Sequence, residues 1–129
     1  MNNQKTAYYA HCRANYGTDQ EARDLGTIAR LGFKVINPND NNIQEEFKVI
    51  KESEGDRVAF EKSFLSRAAS ADVLIFRALP DGSILAGVAK EIEIAKANNV
   101  PVIELPSSYQ RRFLNRYETR EYLLEVGQR

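Results

Sequence analysis

A chain of 129 residues with 43% hydrophobic and 28% charged side chains has room for one domain with a real core, and its composition is ordinary for a globular protein. Its 18 basic and 18 acidic residues cancel, so no global field recruits a nucleic acid polymer or an anionic membrane. One cysteine, Cys12, and one histidine, His11, argue against an internal disulfide, a thiolate cluster or a histidine-rich metal site, and the lack of a long apolar run or a basic-then-apolar leader predicts a cytoplasmic location without membrane contact.

Residues 6–10 (TAYYA) read as a first strand. Residues 18–32 read as a helix with both ends signalled: Thr18 and Glu21 have capping-box spacing, and Gly32 suits the position just past the end. A second strand over 33–37 (FKVIN) is broken by the turn residues PNDNN. Helices are expected over 43–54 and 56–71, separated by Gly55. Residues 72–79 (DVLIFRAL) form a nearly continuous apolar run, as a strand buried on both faces should. The loop PDGS leads to an amphipathic helix opening at 87–95 (GVAKEIEIA), and residues 100–105 (VPVIEL) are a fourth strand. Residues 107–116 and 118–126 read as short terminal helices. No linker or repeat interrupts the chain, so 1–129 reads as a single domain.

Alternating strands and helices imply right-handed crossovers and a parallel sheet of four to five strands, flanked by helices in a Rossmann-like three-layer α/β sandwich. Ligands of such sheets bind beyond the carboxyl ends of the strands. That rim is made here of HCRANYG, PNDNN, PDGSILAG and PSSY.

The helix after the third strand carries a glutamate where an apolar residue belongs. At about 100° per residue, with Glu91 at zero, Ala95 falls near 40°, Val88 near 60° and Ile92 near 100°. Glu93 falls near 200°, beside Lys90 and Lys96 on the polar face. Glu91 therefore points into the protein, where a carboxylate must be paired, raised in pKa or faced with a cavity. Its bland reading is a buried glutamate satisfied by Arg13 or Arg77. The chain lacks G-x-x-x-x-G-K-[ST], G-x-G-x-x-G and G-x-S-x-G, which removes the main support for P-loop, dinucleotide-fingerprint and hydrolase-elbow chemistry. A carboxylate at the rim suits attack on an electrophilic sugar carbon through an oxocarbenium-like transition state.

The other candidates have bland readings too. Tyr8 and Tyr9 alternate along the first strand, so one ring faces each side and either can line the pocket. Arg13 suits bidentate phosphate binding or simple solvation. His11 can donate to a leaving base or serve structurally. Asp81 and Ser83 lie in the loop before Glu91, where PDG is first of all a turn signal. Asp72 begins its strand, the wrong end of the sheet, and reads as structural; Cys12 has no evident base and reads as inert. The C-terminal run of aromatics and arginines is best explained as a contact with a partner subunit.

The stretch ADVLIFRALPDGSILAGVAKEIEIAKANNVPVIEL resembles the nucleoside 2-deoxyribosyltransferase superfamily, which includes the 2′-deoxynucleoside 5′-monophosphate N-glycosidases. The shared pieces are the apolar strand at 71–75, the helix at 87–95 with Gly87 and Glu91, and the strand at 100–103; YYAHCR and GFKVINP resemble the earlier units. The resemblance implies a flavodoxin-like fold, no cofactor or metal, and Glu91 as nucleophile at C1′ of a nucleoside or nucleotide. It also implies a homodimer or higher homo-oligomer whose subunits share sites. Tyr9, His11, Arg13, Asp81, Ser83 and Gly87 are the expected substrate-binding residues. The chain departs from the family in three places. Ala10-His11-Cys12 replaces the small residue after the first strand, Leu85 stands where transferases carry an aspartate, and Ser63 or Phe64 replaces a second one, with Glu61 the nearest acid. The expected activity is cleavage or transfer of an N-glycosidic bond; the alternative is a nucleotide-binding protein without turnover.

Overall fold

Strand β1 (Thr6–Ala10) lies between β2 (Lys34–Ile36) and β3 (Val73–Phe76), with β4 (Val102–Glu104) outside β3. All pairings are parallel, and Ala10 sits opposite Phe76 at the carboxyl end. The computed structural model describes residues 4–106 and 115–125. The inner strands are those with apolar side chains on both faces, and all four residues of β3 are buried. The edge ladders are shorter than the sequence suggests, 34–36 against 33–37 and 102–104 against 100–105, because an edge strand has only one neighbour to pair with. The apolar run of β3 ends its ladder at Phe76; Arg77 still donates its N–H to the Ala10 carbonyl before the chain turns away.

Strand alternation divides the core. Ala7, Tyr9, Val73 and Ile75 face helix α1 (Asp19–Arg30), packing with Leu25 and Ile28. Tyr8, Ala10, Leu74 and Phe76 face the opposite layer. That layer holds α2 (Asn41–Glu54), a helix broken into α3 (Asp56–Phe60), a π turn (Glu61–Leu65) and α4 (Ser66–Ser70), and α5 (Ala86–Ala97). The division follows from topology. The chain steps from β1 to β2 in one direction, then crosses back to β3 and on to β4 in the other, so right-handed connections put α1 on one face and α2 to α5 on the other. The result is the expected three-layer α/β sandwich.

Thr18 caps α1 as its spacing predicts, accepting from the Glu21 N–H at 3.2 Å. Glu21 does not close the reciprocal capping bond. Its carboxylate instead takes the Gly17 N–H, His11 and Asn39, and so ties the first rim loop to the second. The π turn is a departure from the regular helix expected over 56–71; it sets Phe64 against both Phe47 and Phe60. At the C-terminus, Asn115 and Glu118 bond each other's backbone N–H groups, so α6 (Arg116–Glu125) starts two residues before the expected 118. The helix expected over 107–116 lies mostly outside the described residues, as do Tyr109, Phe113 and Leu114 and most of the loop PSSY. Among the described residues no helix is long and apolar enough to cross a membrane.

Candidate active site

Helix α5 turns Val88, Glu91 and Ala95 inward and leaves Glu93 exposed. Glu91 is only 5% exposed. The Tyr8 hydroxyl, from the centre of β1, donates to its carboxylate. Burial pushes the carboxyl up from 4.5 to about 7, and the Tyr8 hydrogen bond offsets part of that rise. Burial and the facing carboxylate in turn hold the Tyr8 phenol well above its ordinary value. Neither arginine suggested by the sequence neutralises Glu91. Arg77 reaches the other face of the sheet, bonding Asp24 at 2.6 and 2.9 Å. Arg13 is exposed, with its guanidinium carbon 5.6 Å from the centre of the Phe47 ring.

Glu91 opens onto a cavity of about 310 Å³ at the carboxyl ends of β1 and β3. This is the point where the chain leaves the two neighbouring strands toward opposite faces, the crevice where open parallel sheets bind ligands. Three rim loops contribute, through His11, Cys12, Arg13 and Tyr16, through Pro38, and through Leu85. Phe47, Phe60 and Phe64 supply an aromatic wall: Phe47 and Phe64 stack at 5.1 Å, and Phe60 meets Phe64 edge-on at 5.7 Å. Flat rings over a carboxylate, with a guanidinium on the exposed side, can hold an aromatic base, present a sugar carbon to Glu91 and receive an anionic group at Arg13.

The residues expected from the sequence separate into two groups. Glu91, His11, Arg13 and Gly87 line the cavity. Gly87 sits at its edge, where an added Cβ would meet the Phe60 ring at 3.8 Å, an ordinary contact. Tyr9, Asp81 and Ser83 do not line it. Tyr9 lies on the α1 face, donating to Asp24 at 2.6 Å, and its neighbour Tyr8 occupies the place beside Glu91. Asp81 is exposed and accepts the Ser83 N–H at 2.9 Å, which closes a local turn and holds its carboxyl below the usual range.

His11 belongs to the wall. Its ring stacks on Tyr9 at 3.7 Å and tilts against Tyr16 at 4.8 Å. Nδ1 lies 3.0 Å from the Tyr9 carbonyl and Nε2 lies 2.7 Å from Glu21. Both ring nitrogens are thus engaged in holding the loop. At the places where a transferase would carry aspartates, Leu85 lines the cavity, and Ser63 is fully buried and donates to Glu46 at 3.3 Å. Glu61 is more than half exposed, faces Arg57 at 3.5 Å and is not part of the lining. Asp72 takes the Thr6 N–H at the amino end of the sheet, away from the site.

The aromatic wall is what sequence reading missed. Phe60 and Phe64 stand four residues apart on one helix, a signal that reads equally as core. Tyr16, in the first rim loop, also lines the cavity; its phenol is raised to about 12, by burial first and then by the Glu91 charge. Among the described residues no three of His, Cys, Asp and Glu converge as metal ligands. No protein-family model matches this chain, and no curated protein matches it.

Proposed function

We propose that this chain cleaves or transfers the N-glycosidic bond of a (deoxy)nucleoside or nucleoside 5′-monophosphate, with Glu91 as the nucleophile at C1′. One observation carries the reading: a buried carboxylate, held by a neutral phenol, opens onto an aromatic cavity at the switch point of the sheet. The resemblance of the segment 71–105 to the deoxyribosyltransferases adds to it. Ionised Glu91 attacks C1′ as the base departs; water or a second base then attacks C1′ and frees the carboxylate. Arg13 takes a 5′-phosphate. The reading extends to a homodimer or higher oligomer, supported by the 75% and 58% exposure of Tyr117 and Leu124 on α6.

A second reading, a nucleotide-binding protein without turnover, draws on the serine and leucine that replace the expected aspartates. Incubation with a panel of ribo- and deoxynucleosides and their monophosphates separates the two. Free base released by the wild type and not by Glu91→Gln supports the enzyme. Saturable binding of the panel with no base released supports the binding protein.

A further inference from the structure

The cavity has a charge map as well as a shape. At its inner end stands Glu91, and among the described residues no cation pairs with it; its partner is the neutral Tyr8 hydroxyl. Its walls are the faces and edges of Tyr16, Phe47, Phe60 and Phe64. Its exposed side carries the guanidinium of Arg13 over Phe47. Aromatic rings around a buried, uncompensated carboxylate favour a flat organic cation, through the ring quadrupoles and through the charge itself. A cation at the exposed side favours an anion on the same ligand.

The leaving group points the same way. A neutral nucleobase departs readily only when a proton reaches it, and a positioned acid usually contributes about 10² to 10⁴ in rate. Among the described lining residues, Glu91 is taken up at C1′, His11 has both ring nitrogens engaged, Arg13 is a permanent cation, the Cys12 thiol is a weak hydrogen-bond donor and the Tyr16 phenol is a weaker acid than usual. An aglycone that is already cationic needs no proton.

Building on the glycosidase reading, we propose that the substrate is an N-glycoside of an aromatic cation, a ribosylpyridinium carrying a 5′-phosphate, with the pyridinium against the aromatic wall near Glu91 and the phosphate at Arg13. The step balances without an added acid. The Glu91 carboxylate forms a bond to C1′, the C1′–N bond breaks, and its electron pair neutralises the ring nitrogen. Water then adds to C1′, the carboxylate leaves, and one proton is released to solvent. Hydrolysis of the cationic substrate therefore liberates one proton per turnover, whereas a neutral nucleoside liberates none at a pH above the pKa of its base.

The test uses the full chain at pH 8 with two measurements. Quenching of tyrosine fluorescence compares 1-methylnicotinamide, a fixed cation, with neutral nicotinamide. The expected result is at least about tenfold tighter binding of the cation, with that preference lost in Glu91→Gln. Equal binding of the two overturns the inference. Chromatography and a pH-stat then compare nicotinamide mononucleotide with 2′-deoxyadenosine 5′-monophosphate. Nicotinamide released about 10² times faster than adenine, with one proton per turnover, supports the inference. Adenine released as fast or faster overturns it and leaves the glycosidase reading standing. Release of neither base overturns the inference, and the wider panel of nucleosides and monophosphates then decides the glycosidase reading.

Discussion

Two adjacent tyrosines on β1 make the same contact on opposite faces of the sheet, and the outcomes differ. Tyr9 donates to Asp24 on α1, and Tyr8 donates to Glu91 on α5. Both carboxylates are buried, at 2% and 5% exposure. Around Asp24 burial alone would raise the carboxyl, but the hydrogen bonds from Arg77, Tyr9 and Gln20 bring it below its ordinary value. Around Glu91 the described residues supply only the Tyr8 hydrogen bond, and burial raises the carboxyl to about 7. The difference is the counterion. With Arg77, which also donates to the Pro106 carbonyl, the α1 pair becomes a clamp joining β3, α1 and the loop after β4. The other pair has no counterion among the described residues and a cavity in front, which leaves its carboxyl raised and open to a ligand.

The comparison can be broken most severely at Glu91 itself. Glu91→Ala should cost roughly 10³-fold or more in base release, as loss of a nucleophile does, while Glu93→Ala on the exposed face leaves the rate unchanged. Equal rates in wild type and Glu91→Ala would end the assignment. On the α1 face the loss should be in stability. Arg77→Ala strands Asp24 buried and uncompensated, at an expected cost of about 3–5 kcal/mol in chemical denaturation.

The two faces should also differ in their response to pH. Glu91 binds its proton more tightly in the folded state, so its ionisation opposes folding. Stability is unaffected by it below 4.5, falls as the pH rises through the interval to 7, and is lower by about 3 kcal/mol above that. Glu91→Gln should therefore melt higher than the wild type at pH 8 and gain nothing at pH 4. A gain independent of pH would mean that the carboxylate is not the source of the penalty. Activity should run the opposite way, rising toward pH 7 as the nucleophile ionises.

Arg13→Ala should weaken a 5′-monophosphate by ten- to a hundredfold, about 1.5–3 kcal/mol, and the matching nucleoside little. Identical losses for both would make Arg13 structural. The smallest effect should come from Tyr8→Phe. Removing a donor that holds the Glu91 carboxyl down moves the acid limb of the pH–rate profile upward, whereas Tyr9→Phe leaves that limb in place.

Periodicity in the chain determined a good deal by itself. The all-apolar run of β3, the three helical crossovers and the 100° wheel of α5 are enough to predict a parallel three-layer sandwich, to turn Glu91 inward and to turn Glu93 out. These features are local, set by side-chain spacing along one element. What only the tertiary structure decided is which groups meet across elements. Strand alternation requires Tyr8 and Tyr9 to part, but not which of them meets α5; the strand order and crossover hand settle that. Arg77 and Asp24 are 53 residues apart, and nothing in their spacing reserves one for the other or withholds Arg77 from Glu91. The aromatic wall comes from α2, from the last residue of α3 and from the π turn after it, and the i,i+4 pair Phe60 and Phe64 becomes cavity lining only because of what lies opposite. Whether a buried carboxylate is neutralised depends on a counterion's distance through space, and that distance does not exist until the sheet has formed.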